Sequence, residues 1–569
     1  MTPGACGETA DGMSLAKIGR IIDALRHERY RFAPDKRVYI PKKNGKKRPL
    51  GLPSWSDKLV GEVVRLLLEA YYEPQFSGRS HGFRPRRGCH TALTEIVHTW
   101  KGTTWFIEGD IADCFGSLDH QVILTILAEK VHDGRFLRLI KQMLQAGYLE
   151  DWEWNATLSG APQGGVTSPV LSNIYLDRLD TFAETVLIPQ YTRGKARRRN
   201  PAYRLVDNEI SRIRQWNTRG KEKTESADVR ELRKQLRTLP AGDPHDPGFR
   251  RLRYIRYADD HLLGFTGPKA EAEQIKQRLA EFLRDDLKLE LNQDKTLITH
   301  ARTGAARFLG YEIIVQHADS RLSRGGRINR GMRATNGKIG LRVPLTVIKT
   351  KCAPYLKRGK PAHLDSLRNH TDYDIVSIYG AQYRGIVQYY LLAADVWRLD
   401  RLKGVMLTSM LKTLAAKHGS TVTKMARRHK TTIPTPHGPR RCFEARVHRP
   451  GRKPLVARFG GIPLKRQKTA VLTDYPTAPI APRRPGSQLL KRLTQGRCEL
   501  CSKPAQVHVH QIRKLADLTT TGQPQPTWAQ LMARMRRKTL IVCPPCHESI
   551  HAGKPATATT HKSLESRTR

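Results

Sequence analysis

Two adjacent carboxylates stand in Tyr257-Ala258-Asp259-Asp260, between the runs Leu252 to Tyr257 and Leu262 to Phe265. Both runs have strand character, which predicts a tight hairpin with the acids at its tip. Carboxylates held on a rigid turn suit Mg²⁺, which takes oxygen ligands and leaves room for substrate phosphates. Phosphoryl transfer at a two-metal site needs a further acid from elsewhere. Asp110 can supply it, after the strand-like run Thr103 to Gly109. Taken alone, the tetrapeptide also fits a charged turn with no chemistry. Near the other end, Cys498-x-x-Cys501 and Cys543-x-x-Cys546 form two metal-knuckle pairs. Four thiolates so spaced favour a closed tetrahedral Zn²⁺ site, with free buried cysteines as the alternative. His508, His510, His547 and His551 are threaded among them. The last two are four residues apart and share a face on a helix.

The elements needed to position these groups can be read coarsely. Leu15 to Arg29 has an amphipathic helical pattern, and Lys58 to Tyr72 repeats its apolar residues at helical spacing. Between them lies Arg37 to Pro41, a strand-like run followed by Asn44-Gly45, a hairpin signal. Asp113 to Ala146 and Gly267 to Leu287 read as mostly helical. Residues 193–253 form a very polar stretch, an insertion between parts of one site. Ile375 to Leu407 and Lys412 to His429 are helix-like. Thr421 to Val456 holds ten Lys/Arg and one acid without a clear apolar period, which predicts a linker or small domain on nucleic acid. Tyr475 to Pro485 is proline-rich and marks a boundary.

The chain has 569 residues, 100 Lys plus Arg against 52 Asp plus Glu, and a formal charge of +48. Length permits several domains with their own cores. Such a charge calls for a polyanionic partner, nucleic acid first. No apolar run approaches the roughly 20 residues that span a bilayer. The first dozen residues lack the blocks of a signal peptide, so a cytosolic (bacterial cytoplasm or nucleoid) protein away from membranes is expected. There, paired Cys-x-x-Cys sequences point to metal before disulfides.

Further signals fall in a consistent order: Lys42 and Arg48 around the first basic turn; Ser80-His81-Gly82-Phe83-Arg84-Pro85; Gly109-Asp110-Ile111-Ala112-Asp113-Cys114-Phe115. Then come Ala161-Pro162-Gln163-Gly164-Gly165-Val166-Thr167-Ser168-Pro169, the paired acids, Leu291-Asn292-Gln293-Asp294-Lys295-Thr296, and Phe308-Leu309-Gly310. The series resembles reverse transcriptases, and among them the proteins encoded by group II introns. The likeness runs from about Leu15 to Gly553.

The resemblance implies a multidomain α/β fold: a right-hand polymerase with fingers and an antiparallel palm sheet, a helical thumb, and a small C-terminal zinc-bound HNH domain of the ββα-metal type. It implies Asp110, Asp259 and Asp260 as catalytic carboxylates. Asp110, Asp259 and the backbone of Ile111 would hold Mg²⁺, with Asp260 auxiliary. Lys42 and Arg48 match residues that clamp nucleotide phosphates, Phe115 the bulky residue that excludes a 2′-hydroxyl, and Gln163 a residue lining the nucleotide pocket. Lys295 is expected on primer or phosphate. Gly116 departs from relatives, which commonly carry Asp. Tyr379 to Tyr390 and Thr413 to His418 look like the family's thumb, or maturase, region, with Gln388 where Asn is frequent. The expected divisions are 1–335 fingers and palm, 336–430 thumb/maturase, 431–486 a basic DNA-binding segment, 487–553 the HNH-type zinc domain, and 554–569 a disordered tail.

In the HNH-like region, the resemblance implies His510, His547 and His551 as ligands of a divalent metal beside the four-cysteine zinc site. The general base of such sites is the residue after the first of these, which here is Gln511. Glutamine accepts no proton at neutral pH, so DNA cleavage is expected to be weakened or absent. His508 shares the face of His510 on a regular strand. The implied protein is an RNA-directed DNA polymerase using deoxynucleoside triphosphates. It would bind group II intron RNA, assist splicing, and copy the intron from a primer in target DNA. The rival readings are a splicing-only maturase acting as an RNA chaperone, and another bacterial reverse transcriptase class. For the C-terminal module alone, a structural zinc domain gripping DNA is the rival.

Overall fold

The computed structural model describes residues 3–41, 45, 47–150, 153–157, 159–160, 164–219, 227–319, 321, 335–436, 438–449, 452–469, 472, 488–513, 515–518, 525–535 and 537–553. Lys42, Gln163 and the tail 554–569 lie outside them.

At the centre is a four-stranded antiparallel sheet, ordered Arg251–Tyr257, Asp260–Thr266, Trp105–Gly109, Ile298–His300. Strand periodicity of two sends alternate side chains to opposite faces. Ile107, Leu252, Tyr254, Leu263 and Phe265 join one core with helices Ser168–Phe182 and Lys269–Asp285. Phe106, Ile255 and Leu262 join another, with helix Cys89–Thr99 and the helices after residue 344. A sheet covered on both faces is a rigid platform, and its hairpin turns carry the polar groups.

A second sheet, Lys47–Leu52, Asp35–Pro41, Tyr148–Glu150, Glu153–Asn155, lies ahead of helix Trp55–Tyr72. Ser54 caps that helix by accepting the Asp57 N–H at 3.1 Å, and Asp57 in turn accepts from Ser54 and Tyr30. The first helix, Leu15–Arg26, ends earlier than its apolar pattern suggests, because Glu28 turns into a left-handed conformation (φ 57°).

Two other regions differ from expectation. Helices Pro201–Arg219 and Ala227–Thr238 lie within the polar insertion, whose base is closed by the bridges Arg193 to Arg250 and Arg199 to Gly242. The helix-like run from Ile375 is also broken: helix Asp372–Tyr389 stops, and Asp400–Lys417 begins after a 3₁₀ turn. Tyr389 and Tyr390 then tie this region to the strands that follow the central sheet. Their hydroxyls donate to the carbonyls of Leu309 (2.7 Å) and Gly310 (3.0 Å), in the turn Phe308-Leu309-Gly310. Tyr379, Tyr383 and Tyr390 are buried in the core.

The basic stretch after residue 429 is a three-stranded antiparallel sheet, Lys430–Ile433, Arg440–Arg449, Arg452–Gly460. It packs on helix Asp372–Tyr389 through Ala445, Ala457 and Phe459. Arg440, Arg441 and Arg446 face outward. The C-terminal unit has ββα form: His508–Gln511 pairs with Thr539–Val542, and helix Pro544–His551 follows.

Candidate active site and C-terminal metal clusters

Asp259 and Asp260 sit at the turn between the strands 251–257 and 260–266, where Tyr257 pairs with Asp260. Ala258 takes a left-handed conformation (φ 54°), which turns the chain sharply enough to present both acids. Gly109 pairs with His261, so the adjacent strand delivers Asp110 beside the same turn. Beyond it, Ile111 bridges Leu291, and the Asn292 N–H donates to the Asp110 carbonyl at 2.8 Å. That bridge also brings in Lys295, whose ammonium donates to Asp110 Oδ2 at 2.8 Å. Lys295 thus faces a catalytic-candidate carboxylate in this structure.

Packing leaves the turn little freedom. A Cβ at Gly82 would overlap the Ala258 backbone, and one at Gly109 would overlap the His261 imidazole. Arg256 lies fully buried under the turn. Its guanidinium donates to Ala258 O (3.0 Å), Asn173 Oδ1 (3.2 Å), Ser80 Oγ (2.9 Å) and both oxygens of buried Asp180. Burial opposes the Arg256 charge, and Asp180 more than offsets it, raising its pKa. Planar guanidinium geometry allows this five-donor fork, which an ammonium cannot copy. Sequence motifs at 80–85 and 173 are therefore supports of the acidic turn.

The electrostatics are those of crowded anions. Burial, then Asp259 and Asp110, push Asp260 up to about 7. Burial also raises Asp259, Asp110 adds to it, and Arg48 and Lys295 oppose it. Carboxylates crowded together in a half-buried site are stabilised as anions by a bound cation. His261 is driven down to about 4 by burial and stays neutral. Phe115 lies on the short helix Cys114–Ser117, its ring 6.4 Å from that of Phe83 and nearly perpendicular. A Cβ at Gly116 would meet the Asp113 carboxylate, and a Cβ at Gly160 would meet the Phe115 and Gly116 carbonyls. The absence of a side chain at 116 thus accompanies a close loop contact.

Toward the C-terminus, the structure brings Cys498, Cys501, Cys543 and Cys546 together, their sulfurs within 4.8 Å of one another. Cys501 Sγ lies 3.8 Å from Cys543 Sγ, and none of these thiols is in a disulfide. Burial opposes the Cys498 thiolate, but N–H groups of Cys501, Cys543 and Leu500 hold its pKa below the usual thiol range. The group has the composition and spacing of a site able to hold a metal ion.

His510, His547 and His551 converge as expected, with ring centroids 4.8 to 5.5 Å apart. His508 lies on the same side, its ring 6.0 Å from that of His547. Gln511 contributes only its backbone N–H there; its buried Oε1 has no hydrogen-bond partner among the described residues. A fourth group of metal-ligating type, Asp11, was not foreseen. Its neighbours Ala10 and Gly12 carry no periodicity or motif, and its place depends on hydrogen bonds to Val509 and Gln511, about 500 residues away in sequence.

Three family models match the chain. The reverse transcriptase (RNA-dependent DNA polymerase) family model matches residues 40–192, the type II intron maturase model 338–438, and the AI2M/AI1M-like HNH endonuclease model 498–547. These matches define a reverse transcriptase joined to maturase and HNH regions. The group II intron-encoded protein LtrA of Lactococcus lactis subsp. cremoris is 37% identical over 564 residues, covering 96% of this chain and 91% of that protein. An uncharacterised 91 kDa protein in the cob intron of Schizosaccharomyces pombe is 31% identical over 561 residues, covering 97% of this chain and 67% of that one. Among solved structures, a telomerase from Candida albicans matches at TM-score 0.31 and 12% identity, covering 72% of this chain and 65% of that one, too distant to carry an argument. The chain belongs to the group II intron-encoded proteins. It is an RNA-directed DNA polymerase that assists the splicing and the mobility of a group II intron. Among the described residues, no helix is long and apolar enough to cross a membrane.

Proposed function

We propose that Asp110, Asp259 and Asp260 are the catalytic carboxylates of target-primed copying of intron RNA. The observation that carries this is the convergence of the three acids on one turn, with Asp260 pushed up to about 7 by its neighbours. Such crowding fits a site built for Mg²⁺, held by Asp110, Asp259 and the carbonyl of Ile111, with Asp260 auxiliary. The bound ions supply charge neutralisation on the triphosphate and a lowered pKa for the primer hydroxyl. The protein's own part is positioning. Arg256 fixes the turn and Arg48 grips nucleotide phosphates; Lys42 and Gln163 share in nucleotide binding by the family resemblance alone. Phe115 lies under the sugar and rejects a 2′-hydroxyl. Primer extension on intron RNA with deoxynucleotides tests the assignment. Asp259→Ala should lower incorporation by at least a thousandfold while intron RNA binding and splicing assistance persist. Extension at the wild-type rate would remove Asp259 from the site.

The helical region after residue 336 and the sheet 430–460 bind intron RNA and target DNA through phosphates. Outward Arg440, Arg441 and Arg446 support that reading. The four thiols hold a structural Zn²⁺. Bonds of about 2.3 Å at tetrahedral angles place sulfurs about 3.8 Å apart, in line with Cys501 and Cys543. His510, His547 and His551 hold a second divalent ion. Its site fits, since the Nε2 of buried His510 has no hydrogen-bond partner among the described residues. Gln511 at the base position weakens or abolishes second-strand nicking. Protein with its intron RNA and target DNA should nick poorly. Efficient nicking that survives a His508 substitution and fails on a Gln511 substitution would contradict this reading.

A further inference from the structure

The chain's first described residues run back along the HNH-like module. The Gly12 N–H donates to Val509 O at 2.8 Å, and the Val509 N–H donates to Met13 O at 2.9 Å. These two backbone hydrogen bonds dock the segment against the edge of strand His508–Gln511. Met13 is buried with Leu493, Val507, Val509 and Ile541, so apolar packing seals it. The Asp11 N–H donates to Thr9 Oγ1 (3.1 Å), and Asp11 Oδ1 accepts the Gln511 N–H at 2.6 Å. Asp11 is therefore held from both sides and is not a chance surface acid.

Its carboxylate faces all three histidines. Oδ2 lies 2.8 Å from His551 Nε2 and 3.2 Å from His547 Nε2, and Oδ1 lies 3.4 Å from His510 Nδ1. His547 Nε2 and His551 Nε2 are themselves 3.3 Å apart. Metal bonds of about 2.1 Å separate neighbouring ligand atoms by about 3.0 Å in octahedral and about 3.4 Å in tetrahedral geometry. All four separations lie near those values. His510 is 4% exposed; its Nδ1 faces only Asp11, and its Nε2 has no hydrogen-bond partner among the described residues. A buried imidazole left so costs about 1–3 kcal/mol unless something occupies it.

We infer that Asp11 is a ligand of the divalent cation held by His510, His547 and His551. The nuclease-like metal site is thus composed from both ends of the sequence. A carboxylate completes a three-imidazole, one-oxygen donor set suited to borderline divalent ions. This inference rests on the proposal above that these histidines hold a cation.

The test titrates full-length protein, its four-thiol site already filled with Zn²⁺, with Co²⁺ as the probe. The visible d–d band of imidazole-ligated Co²⁺ reports occupancy, and the all-oxygen palm site absorbs only weakly. Asp11→Asn should weaken Co²⁺ binding at this site at least tenfold, and His547→Ala should do so too. Asp11→His can still ligate, and should restore binding to within tenfold of wild type with a shifted band. Wild-type affinity in Asp11→Asn together with loss in His547→Ala would overturn the role of Asp11 alone. So would failure of Asp11→His to restore binding, since Asp11 would then serve only to dock the segment. Wild-type affinity in His547→Ala would instead sink the cation site itself.

Discussion

At the scale of single residues, the ionisable groups that matter are those forced away from water. Asp35, at the start of strand Asp35–Pro41, is an instance outside the chemistry. Burial, and after it Asp57, push its carboxyl up to about 7, and its Oδ2 has no partner among the described residues. A folded pKa above the unfolded value of about 3.9 means the native state holds a proton that the unfolded chain has lost. Stability therefore falls as pH rises from about 4 through 7. Asp35→Asn removes that loss. Its unfolding free energy should exceed that of wild type by a margin that widens from pH 5 to pH 8, approaching at most about 4 kcal/mol, and its melting temperature should rise in step. A margin independent of pH in thermal scans would contradict this. The meeting of Asp259, Asp260 and Asp110 at one turn was legible because metal-binding chemistry would restrict their residue types and order. Asp35 and Asp11 were not, since each owes its role to neighbours distant in sequence.

At the scale of elements, legibility followed the apolar pattern. Strand Trp105–Gly109 and helix Trp55–Tyr72 bury a face and announce it. Helices Pro201–Arg219 and Ala227–Thr238 escaped notice because they are mostly solvated, with Ile210 and Val229 among their few buried residues. The sheet 430–460 hid for another reason. Its inward positions are partly small or polar, Cys442, Glu444, Ala445 and Ala457, so alternation is faint against ten basic residues between 421 and 456. Close approach replaces bulk there. A Cβ at Gly380, within helix Asp372–Tyr389, would overlap the Arg458 carbonyl. Gly380→Ala should push the sheet off the helix and lower stability by about 1–3 kcal/mol, the cost of overpacking. Denaturant unfolding would show it, and a neutral or stabilising result would mean the sheet is not seated on that helix.

At the scale of the whole molecule, the parts are unequal in what holds them. Two large apolar clusters support the polymerase and the helices behind it. The C-terminal unit has a small core in which Cys498, Cys543 and Cys546 are themselves members. Units of that size rely on metal for folding free energy. Cys501→Ser, or zinc removal by chelation, should make residues 488–553 susceptible to trypsin while primer extension on a simple template survives. Equal resistance with and without zinc would show that the small core suffices.

The two backbone hydrogen bonds that join Gly12 and Met13 to Val509 set an order of events during synthesis. A ribosome emits residue 12 early and residue 509 roughly five hundred residues later, so the nascent palm can collapse long before this clasp can shut. Closing so long a loop adds little cost, about 0.6 kcal/mol per doubling of length. A polypeptide interrupted between Tyr390 and Val509 would carry the acidic turn with its supports and leave Asp11 without its distant anchor.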